Sequence, residues 1–164
     1  MARIKLDFQN PEGHNLSGLL ETPPPGVPTL RHALFAHCFT CGKDIKAAYH
    51  IARTLNQAGI GVFRFDFTGL GASQGEFADT NFSSNVADLI DAARYMESHQ
   101  MSPSLLIGHS LGGAAVLRAA GSIASSKAVV TIGAPFDPGH VTHNFGDALE
   151  TIETDGVAEV NLGG

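Results

Sequence analysis

The chain has 164 residues, of which 43% are hydrophobic and 16% are charged, and its formal net charge is −6. This composition fits one compact globular domain or part of a larger one. The acidic balance argues against a nucleic-acid partner or an anionic membrane surface, because either would need a basic patch. No apolar run approaches membrane-spanning length, and the first residues lack the apolar segment of a secretory signal. We therefore expect a cytoplasmic protein without a membrane span.

The first predicted elements are two strands and a stiff connection. Residues 3–8 alternate between apolar and polar side chains, and residues 16–20 follow a Pro11-Glu12-Gly13 turn. The proline-rich stretch 23–28 cannot continue a ladder of strand hydrogen bonds, so it predicts a surface connection. The opening pair of strands predicts an antiparallel edge.

From Ala33 onward, predicted strands and helices alternate. The strands are short apolar runs, as expected when helices cover both faces of a parallel sheet. The strands are predicted at 33–36, 60–67, 105–107 and 129–132, and the helices at 43–58, 82–98 and 111–120. This order predicts an α/β fold whose mostly parallel sheet has helices on both faces and an N-terminal antiparallel edge.

One strand runs directly into Gly108-His109-Ser110-Leu111-Gly112, and a helix follows. The glycines permit a sharp turn that leaves the serine exposed at the C-terminal edge of the sheet. The first amides of the following helix then point to where negative charge develops during acyl transfer. A tight strand-to-helix turn with an incidental serine is the alternative. The position of the motif at this junction favours Ser110 as a nucleophile.

Two further loops accompany this motif. Residues 37–44 read His-Cys-Phe-Thr-Cys-Gly-Lys-Asp, and the loop after the next strand carries Asp66, Gly69, Gly71, Ser73 and Gly75. The three motifs, in this order, resemble the α/β-hydrolase superfamily, in its esterase and serine-aminopeptidase-like branch, over nearly the whole chain. The resemblance implies that the backbone amides of Phe39 and Leu111 form the oxyanion hole. Asp66 is interpreted as an anchor of its loop, because a catalytic acid in this fold follows the serine in sequence.

Cys38 departs from the family pattern, which usually has glycine at this position. The Cys38 variant resembles hydrolase domains fused to an OsmC-type domain, and this implies such a domain at the C-terminal end of the full-length protein. Cys38 and Cys41 are interpreted as small residues of the oxyanion loop, with thiol redox chemistry as the alternative. A zinc site would need further ligands, so no metal is predicted, and no other cofactor is predicted either.

Four residues are candidates for substrate contact. His37, Cys38 and His109 flank the predicted nucleophile, and His140 follows in the C-terminal segment. Orientation of loops is the alternative role for His37 and His109.

The catalytic acid and base are less evident. The resemblance places both on strands later than the one at 129–132, in the order serine, acid, histidine. Within the chain, Asp137 is the best candidate for the acid, and His140 and His143 are the only histidines after Ser110. We therefore expect a C-terminal truncation, in which residues 1–136 form the N-terminal part of the hydrolase core and residues 137–164 begin a lid. The lid segment is predicted to hold a helix at about 144–154 and one arm of a hairpin at 157–164.

The predicted function is a serine hydrolase that acts on carboxylic esters or related small acyl substrates through an acyl-enzyme on Ser110. The alternative is a non-catalytic fragment or accessory module of a larger protein. The Ser110 motif and its matching loop favour the enzyme, whereas the missing base favours the alternative.

Overall fold

The structure is a computed structural model that describes residues 2–137, 146 and 148–158. The chain divides into two compact units, residues 1–134 and 135–164. In the first unit, the strands are β1 (Arg3–Lys5), β2 (Phe8–Gln9), β3 (Asn15–Leu16), β4 (Gly18–Glu21), β5 (Arg31–Ala36), β6 (Ile60–Phe65), β7 (Pro103–His109) and β8 (Ala128–Ile132). Its helices are α1 (Lys46–Gln57), α2 (Phe82–Ser98) and α3 (Leu111–Ala119), with short 3-10 turns at Phe77–Asp79 and Ala120–Ser122. The second unit contains α4 (Ala148–Asp155).

Six of the strands form one sheet in the order β1-β4-β6-β5-β7-β8. Strands β6, β5, β7 and β8 are parallel, whereas β4 pairs antiparallel with both β1 and β6. The predicted α/β fold, with a mostly parallel sheet and an N-terminal antiparallel edge, is confirmed. The two short strands β2 and β3 pair separately.

Helices cover both faces of this sheet, as predicted. On one face, α2 and α3 pack against Leu34, Phe63, Phe65 and Leu106. On the other face, α1 packs through Ala48 and Ala52 against Phe35, Val62 and Ile107. Among the described residues, no helix combines the length and the apolar character needed to cross a membrane.

The predicted strand at residues 3–8 is divided into β1 and β2. Leu6 N donates to Gly18 O at 3.1 Å, while the Asp7 carboxylate accepts from Gly18 N at 3.2 Å. The backbones pass so closely that a Cβ on Gly18 would lie 2.3 Å from Leu6 O. A side-chain acceptor therefore replaces a backbone carbonyl at this point and interrupts the ladder.

Helix α1 begins at Lys46 rather than at the predicted Lys43. The Lys43 amide donates to Asp66 Oδ1 at 2.5 Å, and the Lys43 carbonyl accepts from Arg64 Nη1. Because both backbone groups of Lys43 are bound to side chains of distant residues, this residue stays in the preceding loop.

The predicted C-terminal helix overlaps α4, which begins at Ala148 and ends at Asp155. The start of that prediction, the hairpin arm from residue 159 onward, and the candidates His140 and His143 lie outside the described residues.

Candidate active site

Ser110 occupies a sharp turn between β7 and α3. Its backbone has φ 52° and ψ −116°, a conformation that costs a non-glycine residue about 1–3 kcal/mol. The turn is held by Ser110 N, which donates to Ile132 O at 2.9 Å, and by Gly113 N, which donates to Ser110 O at 2.8 Å. The strained serine is thus fixed between the end of one strand and the start of one helix.

The glycines on either side of Ser110 allow this turn. A Cβ on Gly108 would lie 2.1 Å from Gly112 O, and a Cβ on Gly112 would lie 2.3 Å from Ala36 O. Backbone atoms cannot yield as a flexible side chain can, so both positions require a residue without a Cβ. The spacing of the pentapeptide therefore reflects close contact between backbones.

The loop after β5 is joined directly to this turn. Gly112 N donates to His37 O at 3.1 Å, which fixes the start of the loop against the first turn of α3. Within the described part of the chain, the amides of Phe39 and Leu111 donate to no protein acceptor. Both amides are therefore available to a ligand oxygen.

His37 is fully buried beneath this loop. Phe67 N donates to its Nε2 at 3.3 Å, so Nδ1 carries the proton and donates to Cys38 O at 2.7 Å. Burial lowers the pKa of the His37 imidazole, and the Cys38 carbonyl and nearby Asp66 only partly offset this. A neutral, buried ring with both nitrogens bound fits the orientation of the loop, and it does not support the predicted substrate contact.

Asp66 anchors the same loop from the end of β6. This carboxylate is 1% exposed and accepts from Lys43 N at 2.5 Å, from Lys43 Nζ at 2.7 Å and from Ala72 N at 3.0 Å. A Cβ on Gly71 would lie 2.3 Å from Asp66 Oδ2. One carboxylate thus accepts hydrogen bonds from both the loop after β5 and the loop after β6. This agrees with the interpretation of Asp66 as an anchor.

Cys38 and Cys41 are joined by a disulfide bond, and their Cα atoms are 5.3 Å apart. The Cys38 side chain is almost buried, so neither its burial nor its bonded sulfur supports the predicted substrate contact. Between the two cysteines, the Phe39 ring is 40% exposed and lies edge-on to Phe77, with ring centroids 5.2 Å apart.

Residues 34–154 match the model of a hydrolase family that is described as serine aminopeptidase, S33. This range includes both loops and the turn at Ser110. The chain belongs to this hydrolase family. The predicted resemblance to the α/β hydrolases, in an esterase-like branch, is thereby confirmed. The search of curated protein sequences found no match to this chain.

Solved structures with the same fold include proteins described as esterases and serine hydrolases. The esterase domain of a Rhodothermus marinus protein is 49% identical, with a TM-score of 0.70, over 87% of this chain and 55% of its own chain. A serine hydrolase without a lid from Xanthomonas campestris is 26% identical, with a TM-score of 0.74, over 83% of this chain and 63% of its own chain. A serine hydrolase homologue from Coxiella burnetii, 23% identical with a TM-score of 0.73 over 88% and 69% of the two chains, shows the fold alone. The chain spans less than two thirds of the length of the first two structures.

His109 and Asp137 are the other predicted site residues that the structure describes. His109 ends β7 and is half-buried, and within the described residues its Nδ1 has no hydrogen-bond partner. Asp137 is exposed and belongs to the second unit. Among the described residues, the Ser110 hydroxyl makes no hydrogen bond.

The sequence analysis missed three buried charged residues that support the site. Arg64 and Glu21 are both fully buried, and Arg64 Nη2 lies 2.9 Å from Glu21 Oε2. Asp88 of α2 accepts from Thr68 N at 2.9 Å and from Thr68 Oγ1 at 3.0 Å, and burial raises the pKa of its carboxyl. Charged residues inside otherwise apolar segments were the available signal, because they require buried partners.

A cleft lies in another part of the first unit, and Ser110 does not line it. It has a volume of about 650 Å³ and lies between the β2–β3 hairpin and α2, where Asn10, Asp91, Arg94 and Tyr95 contribute to its lining. Ser98, at the end of α2, also lines this cleft, and its hydroxyl donates to Tyr95 O at 2.8 Å.

Proposed function

We propose that this chain supplies the nucleophile and the oxyanion hole of a serine hydrolase that cleaves carboxylic esters or related small acyl substrates. One observation carries the proposal: Ser110 stands in a strained turn with φ 52°, and among the described residues two nearby amides donate to no protein acceptor, that of Phe39 in the loop after β5 and that of Leu111 at the start of α3. A fixed nucleophile and fixed hydrogen-bond donors are the two parts that acyl transfer requires.

In the proposed mechanism, Ser110 Oγ attacks the carbonyl carbon of the ester. The carbonyl oxygen becomes an oxyanion and accepts hydrogen bonds from the amides of Phe39 and Leu111, where one such donor contributes roughly 10²–10³ to kcat. When this intermediate collapses, the C–O bond to the leaving group breaks, the base returns the Ser110 proton to the departing alcohol, and the acyl group stays on Ser110. Water then attacks the acyl-enzyme and releases the acid.

The Ser110 proton requires a base, and a histidine oriented by a carboxylate is the group that serine hydrolases of this fold use. Within the 164 residues, Asp137 stays the predicted acid, and His140 and His143 stay the candidate bases.

A fluorophosphonate probe tests the proposal, because it forms a covalent bond only with an activated serine. The full chain that the gene encodes is compared with Ser110→Ala and with Ser122→Ala, which removes an exposed serine from a 3-10 turn. We expect labelling of the wild type and of Ser122→Ala, and none of Ser110→Ala. Hydrolysis of p-nitrophenyl acetate should fall by roughly 10⁶ in the Ser110 variant.

Absence of labelling in folded wild-type protein would overturn the proposal and favour a non-catalytic module. A second substrate, an aminoacyl p-nitroanilide, distinguishes an esterase from an aminopeptidase. Similarity to the Rhodothermus marinus esterase domain supports faster cleavage of the ester. The cytoplasmic location and the C-terminal OsmC-type domain stay predictions.

A further inference from the structure

Residues 38–41 form a small covalent ring within the loop after β5. The disulfide between Cys38 and Cys41 encloses Phe39 and Thr40, and Cys41 N donates to Cys38 O at 3.3 Å. The Phe39 amide, which is the proposed oxyanion donor, is therefore part of this ring.

The loop is anchored strongly on both sides of the ring. Before it, His37 O accepts from Gly112 N and the His37 ring is buried. After it, Lys43 is bound to Asp66 through its amide and its ammonium group, and to Arg64 through its carbonyl. These contacts fix the ends of the loop and leave the conformation of its centre to the ring itself.

The centre of the loop has few other restraints. Among the described residues, the backbone groups of Phe39 and Thr40 make no hydrogen bond, and the Phe39 ring contacts Phe77. Thr40 has φ 56°, a left-handed conformation that is rare for a β-branched residue. The covalent ring holds Thr40 in this conformation, and rotation of Thr40 to negative φ would turn the adjoining peptide groups.

We propose that the Cys38–Cys41 pair is a redox modification site that positions the Phe39 amide, so that hydrolysis at Ser110 is fast when the pair is oxidised and slow when it is reduced. The inference rests on the proposed function of Ser110. The pair acts as a positioning element, since neither sulfur takes part in the bond changes of ester hydrolysis.

A dithiol is the reductant that this site would accept. One thiolate attacks Cys41 Sγ, because Cys41 is less buried than Cys38, and the Sγ–Sγ bond breaks to leave Cys38 as a thiolate that takes up a proton. The second thiol of the reductant displaces Cys41 and becomes the other half of a cyclic disulfide. Two electrons and two protons reach the protein, and oxidised glutathione reverses the change through a mixed disulfide.

The same disulfide bond contributes little to the stability of the whole fold. The stabilisation that a disulfide provides by restricting the unfolded chain grows with the length of the closed loop, and this loop contains only the four residues from Cys38 to Cys41. Reduction should therefore change the local geometry of the loop more than the stability of the fold.

The test compares oxidised wild type, wild type reduced with dithiothreitol, and the double variant Cys38→Ser/Cys41→Ser, with p-nitrophenyl acetate as substrate. Loss of one oxyanion donor costs roughly 10²–10³ in kcat, so a displaced donor should lower kcat by about 10- to 100-fold. We expect this loss on reduction, a change in KM of less than about threefold, and recovery with oxidised glutathione. The double variant should match the reduced wild type and should not respond to either reagent.

Circular dichroism at the assay temperature separates positioning from unfolding. An unchanged spectrum with a lower kcat supports the inference, whereas loss of the folded spectrum on reduction overturns it. Equal kcat values in the two redox states also overturn it, as does a double variant that is as active as the oxidised wild type. If the oxidised protein neither hydrolyses the ester nor reacts with the fluorophosphonate, the proposed function itself has failed.

Discussion

His37 is the residue near the site whose protonation the fold constrains most clearly. Its Nε2 accepts from Phe67 N and its Nδ1 donates to Cys38 O, so the ring must be neutral and in one tautomer. A second proton would remove the acceptor and place a charge in a fully buried position. The orientation of the loop that carries Phe39 therefore depends on the neutral form of a single imidazole.

This dependence predicts a loss of stability at acidic pH. Burial lowers the pKa of His37 in the folded state, so the unfolded chain binds a proton near pH 6.5 that the folded chain does not bind. The contribution of neutral His37 to the free energy of unfolding should be complete above about pH 6.5. At lower pH the free energy of unfolding should decrease by up to about 1.4 kcal/mol per pH unit. Urea unfolding at a series of pH values measures this slope.

The variant His37→Gln provides the control, because glutamine can form hydrogen bonds but does not titrate. The pKa of His32 is also lowered by burial and that of Asp88 is raised by burial, but both groups titrate in the two proteins and cancel in the difference. The pH slope of the wild type should exceed that of the variant. Identical slopes would show that His37 is not the responsible group.

At the scale of elements, β6 connects the sheet to the loop after β5 through alternate side chains. Arg64 and Asp66 are two residues apart and lie on the same side of the chain, where Arg64 donates to Lys43 O and Asp66 accepts from Lys43 N. Arg64 is paired in turn with Glu21 of β4, at 2.9 Å. Burial lowers the pKa of the Arg64 guanidinium, and the nearby Glu21 carboxylate opposes this change. The antiparallel edge of the sheet thereby supports the loop.

Removal of one member of the buried pair should be costly. Arg64→Met leaves Glu21 as a buried charge whose other partner, Arg3, is half exposed, so we expect a loss of about 3–5 kcal/mol in the free energy of unfolding. The double variant Arg64→Met/Glu21→Leu should recover about 1–3 kcal/mol of that loss, which a double-mutant cycle in urea measures. Additive effects of the two substitutions would contradict an energetic coupling between them.

At the scale of the whole molecule, β8 forms one end of the sheet within the described residues. Its side chains include Val130 and Ile132, which are 45% and 38% exposed. One edge of β8 pairs with β7, where Leu105 lies opposite Ala128 and His109 lies opposite Ile132. An apolar strand with one open edge is a template for pairing with another chain.

We therefore expect the 164-residue chain, prepared alone, to associate as its concentration rises. Val130→Lys places a charge on this strand and should reduce association, whereas Leu117→Lys replaces an apolar residue of α3 that is 59% exposed and serves as the matched control. Size-exclusion chromatography with light scattering measures the mass across a concentration series. A monomeric wild type, or an equal effect of the two substitutions, would contradict a role for β8.

The local parts of the fold could be predicted because their signals are local. Helix α2 has the predicted bounds, Phe82–Ser98, since its periodic apolar face coincides with a capping box between Asn81 and Ser84. The start of α1 and the division of the first strand could not be predicted in this way. Both depend on contacts with Gly18, Arg64 and Asp66, which lie far away in the sequence.

By itself, the sequence determined the alternation of strands and helices and the position of Ser110, because both depend on spacing between near neighbours, and the resemblance of three local motifs implied the family. Only the tertiary structure decided how the loop with Phe39 is held. Lys43 and Asp66 are 23 residues apart, and no local pattern states that one carboxylate binds both the amide and the ammonium group of the same lysine. A buried charge must find a partner, but which partner it finds is determined by how the sheet brings distant strands together.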